Sequence, residues 1–213
     1  MEAGRRTDVL RASPRMFDND LLDRLSRVHP AVPVFIFVPA IVVLIVLAAA
    51  DTAALALVGL FVAGYFFWTL SEYWIHRVIF HFEPEKGLGA KLHWIIHGVH
   101  HDHPNDPLRL VMPPSVSVPL SSLFCLGFWA VLGTPNWYAF GAGFLAGYLL
   151  YDMTHYFLHH HKPKSRFGKR LRELHMRHHF QDHTTGFGIS APYWDKFFRT
   201  FPSKARKDGR EAA

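Results

Sequence analysis

Two uncharged apolar runs, parted by a single aspartate, constrain this chain more than any other feature. Pro33 to Ala50 holds no charged residue over 18 positions, Thr52 to Leu70 holds none over 19, and Asp51 stands between them. About 20 mostly apolar residues in a helix suffice to cross the hydrocarbon of a bilayer. Two more runs follow. Pro113 to Leu132 is diluted by four serines and three prolines, and Trp137 to Tyr151 is extended by an amphipathic tail to His159. A single run of this kind is compatible with a buried core helix. Four in 213 residues leave too little polar chain to cover them, and only 19% of residues are charged where a soluble domain carries about 25%. The expected fold class is an all-α integral membrane protein. Four transmembrane helices form two hairpins, at about 33–50, 52–75, 113–132 and 137–158, capped by a cytosolic histidine-rich di-metal layer. The membrane domain is expected over 33–202, with a basic cytosolic segment at 1–32 and a disordered basic tail at 203–213.

The charges give the orientation. Neither hairpin turn, Asp51 or Gly133 to Asn136, contains Lys or Arg. All 23 basic residues lie elsewhere: six before Pro33, four between Arg77 and Arg109, and thirteen after His161. The positive-inside rule then places both termini and the middle loop in the cytoplasm. Anionic head groups account for the net charge of +6 with no nucleic-acid partner. The single cysteine, Cys125, excludes a disulfide framework and any cysteine-based zinc finger. No cleavable signal peptide is expected, because the first 30 residues are charged and lack an apolar stretch.

The chain has 16 histidines, and they gather where the helices leave the membrane on the cytoplasmic side. His76 and His81 frame HRVIFH, His97, His100 and His101 form HGVHH, His155 and His159 form HYFLH, and His175, His178 and His179 form HMRHH. Residues at i, i+3 and i+4 share a helix face, so the two triplets and the HYFLH pair each present imidazoles to one side. His76 and His81, five apart, either contact different metals or straddle a helix end. A lone histidine is ordinarily a packed side chain. Ten in this arrangement suit two metal ions with about five nitrogens each, although imidazole alone does not choose between iron, copper, nickel and zinc. Glu72, Asp102, Asp152, Glu173 and Asp182 are near enough in sequence to supply some of the acceptors that ligand rings need, and His93, four before His97 on the same face, is a further partner for a ligand. His29 reads as interfacial, and His160 or His161 is a substitute for His159.

These residues carry a resemblance. The order HRVIFH, HGVHH, HYFLH, HMRHH resembles the fatty acid hydroxylase branch of the sterol desaturase superfamily of membrane di-iron enzymes. HGVHHDHPNDPLRLVMPP, GYLLYDMTHYFLHHH and HMRHHFQDHTTGFGISAPYWDKFF are similar to fatty acid 2-hydroxylases, over about Glu72 to Phe201. The resemblance implies that the ligands are His76, His81, His97, His100, His101, His155, His159, His175, His178 and His179. It also implies that Tyr151 and Asp152 position the substrate. The implied cofactors are two Fe ions, with Zn as an occupant after purification, and dioxygen as co-substrate. The expected activity is hydroxylation at carbon 2 of a fatty acyl chain, free or in a sphingolipid of the ceramide type. That carbon adjoins the polar head and so lies at the membrane surface, where the histidines are.

Many eukaryotic members carry an N-terminal cytochrome b5 domain, whereas only 32 residues precede the first apolar run here. The expectation is a separate electron donor, cytochrome b5-like or ferredoxin-like, and a bacterial inner membrane rather than endoplasmic reticulum. The alternatives are a sterol oxidase or desaturase, a carotenoid hydroxylase, or a membrane metal transporter or sensor. A transporter needs polar ligands along a path through the spans, and these histidines crowd one surface instead.

Overall fold

A computed structural model describes residues 5–202, so the expected tail at 203–213 lies outside the described residues. The described chain is helical throughout, with no strand. Two short helices, α1 (Arg6–Arg11) and α2 (Asp20–Leu25), precede the long ones. Asn19 caps α2 by accepting from the Leu21 and Leu22 amides. Then come α3 (Ala31–Asp51) and α4 (Ala54–Trp74), which runs on through a π-helical turn, Ile75–Phe80. The middle segment holds α5 (Gly87–His93), a second π-helical turn (Trp94–Gly98) and α6 (Val99–Asp102). The second long pair is α7 (Pro114–Leu132) and α8 (Asn136–His160), followed by α9 (Arg166–Phe180) and α10 (Tyr193–Phe197).

Three helices are long and apolar enough to cross a membrane: Ala31–Asp51, Ala54–Phe80 and Pro114–Leu132. Their outward faces are bare hydrocarbon. Phe35 is 78% exposed, Leu55 86% and Val131 83%, which in water would cost about 25 cal/mol per Å² of apolar surface. This is a membrane protein. The fourth expected span corresponds to α8, which is long enough but carries glycines, Asp152, His155 and His159 and is buried along much of its length. α3 and α4 follow one another in sequence, yet both pack far more extensively along α8 than against each other. Lipid tails are as apolar as these side chains, so close packing rather than the hydrophobic effect holds such helices together. At Gly64 and Gly143 that packing brings backbones together. A Cβ at Gly64 would fall 2.0 Å from the Phe140 carbonyl oxygen, and one at Gly143 would fall 1.9 Å from that of Phe61. Around the contact, Trp68 meets Phe144 and Tyr148 edge to face, both at 5.2 Å. Such pairs add roughly 0.5–1.5 kcal/mol each beyond their buried area.

The N-terminal segment is not a free cytosolic extension. The buried guanidinium of Arg109 donates to the Pro14 carbonyl and, at 2.8 Å, to Asp23 Oδ1. Asp23 in turn accepts from the Met16 amide at 2.8 Å and from Arg27. These bonds fold residues 13–27 against the body. On the same side, α9 starts at Ser165, whose hydroxyl accepts from the Gly168 amide at 3.1 Å. It buries Leu171, Leu174, His175 and His178, which is one helical stripe. Beyond it the backbone reverses at Gly186, whose φ of +79° suits glycine.

Candidate metal centre

All ten expected histidines converge, in two groups of five. His76, His81, His97, His101 and His178 form the first group, and His100, His155, His159, His175 and His179 the second. Within each group the offered nitrogens lie within 4.8 Å of one another.

The division is not by sequence triplet. In HGVHH, His97 and His101 enter the first group and His100 the second. In HMRHH, His178 enters the first and His175 and His179 the second. Residues four apart stay together, while the residue three along is rotated toward the neighbouring group. His76 and His81 share a group, against the alternative that they contact different metals. The π-helical turn explains this. It closes from i to i+5, with the His81 amide donating to the His76 carbonyl at 3.2 Å, and so stacks residues five apart. His81 also caps the end of that helix, as the other alternative has it. His159 is the member from HYFLHHH; His160 and His161 pack on Tyr156 and Phe157 instead.

The rings face one another through Nε2. In the first group His97 Nε2 lies 3.2 Å from that of His76 and 3.0 Å from that of His101, and His81 and His178 are 3.1 Å apart. In the second, His100 Nε2 lies 3.1 Å from those of both His155 and His179, and His159 and His175 are 2.7 Å apart. Burial, and then neighbouring imidazoles, hold the rings neutral. The His81 imidazole is pushed down to about 3, His178 by burial to about 4, and those of His97, His100, His175 and His179 well below the usual range. His76 and His178 have their Nδ1 2.7 Å from the carbonyls of Phe187 and Thr185. A neutral ring has one N–H, so donating it there leaves Nε2 a bare lone pair. One shared proton also cannot serve both close neighbours of His97 or of His100. A cation at each focus removes the conflict. Bonds of about 2.1 Å at right angles put adjacent nitrogens about 3.0 Å apart, which matches these spacings. The donor set therefore fits two metal ions bound only by imidazole.

The acceptors behind the rings are not the ones expected. Glu72 takes the Ser190 amide and hydroxyl, Asp102 the Trp94 indole, Asp152 the Met112 amide and Tyr148 hydroxyl, Glu173 two arginines, and Asp182 Thr184. The backbone supplies Phe187 and Thr185, and Glu83 approaches His81 Nδ1 at 3.4 Å. His93 lies 3.9 Å from Glu83, with no bond to a ring of either group. Nothing in composition marks two carbonyls of an irregular loop.

Beside the histidines opens an apolar cavity of about 270 Å³. His97 comes to it from the first group and His100 and His155 from the second, and Tyr151 and Asp152 line its wall. Tyr151 lies nearly parallel to the His155 ring, 5.9 Å away. Met16, Phe17, Leu22 and Leu25 also line it, a contribution the sequence reading missed. Its signal was there: apolar residues at helical spacing among the charges of the N-terminal segment.

A bundle of membrane-length helices with ten converging imidazoles at its end defines a class, the histidine-rich membrane proteins with a site suited to two metals. Within it, this chain belongs to the fatty acid hydroxylase family, whose model matches residues 61–200. It is 40% identical over 196 residues to the Arabidopsis thaliana dihydroceramide fatty acyl 2-hydroxylase FAH2, covering 89% of this chain and 80% of that one. It is 42% identical over 145 residues to the Saccharomyces cerevisiae ceramide very long chain fatty acid hydroxylase SCS7, covering 67% of this chain but 38% of the yeast protein. The solved structure of full-length scs7p, in which only the hydroxylase domain is visible, superposes with a TM-score of 0.81 at 36% identity. That match covers 88% of this chain and 71% of the other.

Proposed function

We propose that the protein hydroxylates carbon 2 of a fatty acyl chain in a sphingolipid of the ceramide type, using two iron ions held by the two histidine groups. The observation that carries this reading is the apolar cavity against His97, His100 and His155. An acyl chain fits its lining, and the carbon that meets the histidines is one close to the polar head. The relatives' names support the substrate class. Bound iron supplies the oxidation of an unactivated C–H bond by dioxygen, which no acid–base pair achieves. Overall, one oxygen atom enters the carbon, and the other leaves as water with two electrons and two protons.

The chain's own residues bind, orient and exclude. Neutral buried imidazoles keep their lone pairs for the metals. Tyr151 walls the place where carbon 2 sits. The Asp152 carboxylate, held by Met112 and Tyr148, accepts a hydrogen bond from the lipid head. Met16, Phe17, Leu22 and Leu25 add apolar surface to the cavity, which favours an acyl chain over water there. α8 is the fourth span, following α7 in sequence as α4 follows α3, and the basic distribution supports a cytoplasmic position for the histidines. The electrons come from a separate carrier, cytochrome b5-like or ferredoxin-like. A bacterial inner membrane is the proposed location.

The test is expression in a host lacking 2-hydroxy lipids, with lipid mass spectrometry and metal analysis of the purified chain. The expected result is 2-hydroxy acyl lipid and two iron ions per chain. A hydroxyl at another carbon, or active protein with one metal or none, overturns the reading.

A further inference from the structure

Asp195 lies on α10, away from every metal-facing ring, yet it is 1% exposed and bonded on all sides. Its Oδ1 accepts from the Phe187 amide and the Thr200 hydroxyl, both at 2.8 Å, and its Oδ2 accepts from the Gly188 amide at 2.9 Å. The Gly188 N–H belongs to the same peptide unit as the Phe187 carbonyl. That carbonyl is the acceptor for His76 Nδ1 at 2.7 Å. One planar amide therefore has a buried carboxylate on its N–H side and a ring of the first group on its C=O side. Hydrogen bonds in such a chain polarise one another: the carboxylate draws the N–H and leaves more negative charge on the oxygen that faces the imidazole.

We infer that Asp195 is a positioning residue for the first histidine group, acting on His76 through the Phe187–Gly188 peptide. In the familiar arrangement a carboxylate bonds directly to a metal-bound histidine and raises its basicity. Here a peptide is interposed. The geometry is specific to this place. A Cβ at Gly188 would lie 3.0 Å from Asp195 Oδ2 and 2.4 Å from the Ala191 carbonyl oxygen, so glycine is what lets the carboxylate reach the amide. The same loop backs a second ring of the first group. His178 Nδ1 is 2.7 Å from the Thr185 carbonyl, and the other end of that peptide, the Gly186 amide, donates to the Thr200 carbonyl at 2.8 Å. The Gly186 amide thus meets a carbonyl, while the Gly188 amide behind His76 meets the carboxylate itself at 2.9 Å. Glu72 holds the loop two residues further on, through Ser190, and touches neither peptide.

The inference rests on the two-metal reading, and its test separates the two. Full-length protein in nanodiscs is loaded with metal, and release to a chelator is followed for the wild type and Asp195→Asn. Asparagine keeps the shape, removes the charge and cannot accept from all three donors. The expected result is that one ion per chain leaves about 10-fold faster, the lower end of what outer partners of metal ligands cost, while the other keeps its wild-type rate. With Co(II) as the probe metal, the ligand-field absorption of that one ion shifts. In a His76→Ala background, Asp195→Asn adds no further acceleration, because its route is gone. Glu72→Gln, which loosens the same loop, leaves both release rates and the Co(II) spectrum as in the wild type. Asp195→Ser, which is smaller and also uncharged, carries the same expectations if the asparagine variant does not fold. Unchanged release, equal acceleration of both ions, or an undiminished effect without His76 overturns the role of Asp195. Wild-type protein holding fewer than two ions instead overturns the two-metal reading itself.

Discussion

The two histidine groups have the same number and kind of donors and are built differently. In the first, His76 and His81 come from a π-helical turn and His97 from another, and His76 and His178 are aimed by carbonyls of the loop that follows α9. In the second, His155 and His159 sit on α8 and His175 and His179 on α9, each pair four apart on a regular helix. The buried Nδ1 atoms of His159, His175 and His179 have no hydrogen-bond partner among the described residues, and in the first group the same is true of His81. Two rings of the first group are aimed by hydrogen bonds to loop carbonyls, whereas the pairs on α8 and α9 are aimed mainly by the helices that carry them. The cavity touches the second group through two rings and the first through one.

Removing one ring from each group gives the largest expected effect. His101 belongs to the first group and His179 to the second, and their rings stack across the boundary at 4.3 Å. His101→Ala and His179→Ala should each cut 2-hydroxy acyl yield by more than about 100-fold, beyond what losing an outer partner costs. If either variant retained wild-type yield, the two groups would not act as one centre. Chelation of the wild-type protein is the next sharpest probe. The ion of the second group should leave about 10-fold sooner, because the first group alone has rings pinned by loop carbonyls, those of His76 and His178, so metal release should be biphasic. A single phase would show that carbonyl orientation confers nothing measurable.

Smaller effects are expected at the cavity wall. Asp152→Ala leaves the Met112 amide without its acceptor and costs about 1–3 kcal/mol of orientation, seen as reduced yield with both metals retained. Tyr151→Phe should alter selectivity among acyl substrates more than total yield. Metal loss in Asp152→Ala would instead tie that carboxylate to the second group. At the bottom of the scale, His29→Ala should leave yield unchanged. His29 belongs to neither group, and its Nδ1 accepts the Ala31 amide at the start of α3.

Sequence alone determined the parts governed by local physics. Uncharged runs of bilayer length became α3, α4 and α7, with ends within a few residues of those expected, because hydrocarbon tolerates no unpaired backbone and forces a helix. The ten histidines were legible for a similar reason, since spacing along a helix fixes which rings share a side. What spacing did not determine was the partner of each ring. Both triplets split between the groups, because the residue three along turns toward the neighbouring focus, and His76 and His81 came together because a π-helical turn changes the angular step by an amount local composition does not encode. The carbonyls of Phe187 and Thr185, the carboxylate of Asp195 and the packing of residues 16–25 over the cavity were decided by tertiary structure alone. Every residue has a carbonyl, so its use as an acceptor leaves no mark on the sequence. Only the path of the chain in space, with loops brought back from more than 100 positions away, selects which ones face a ring.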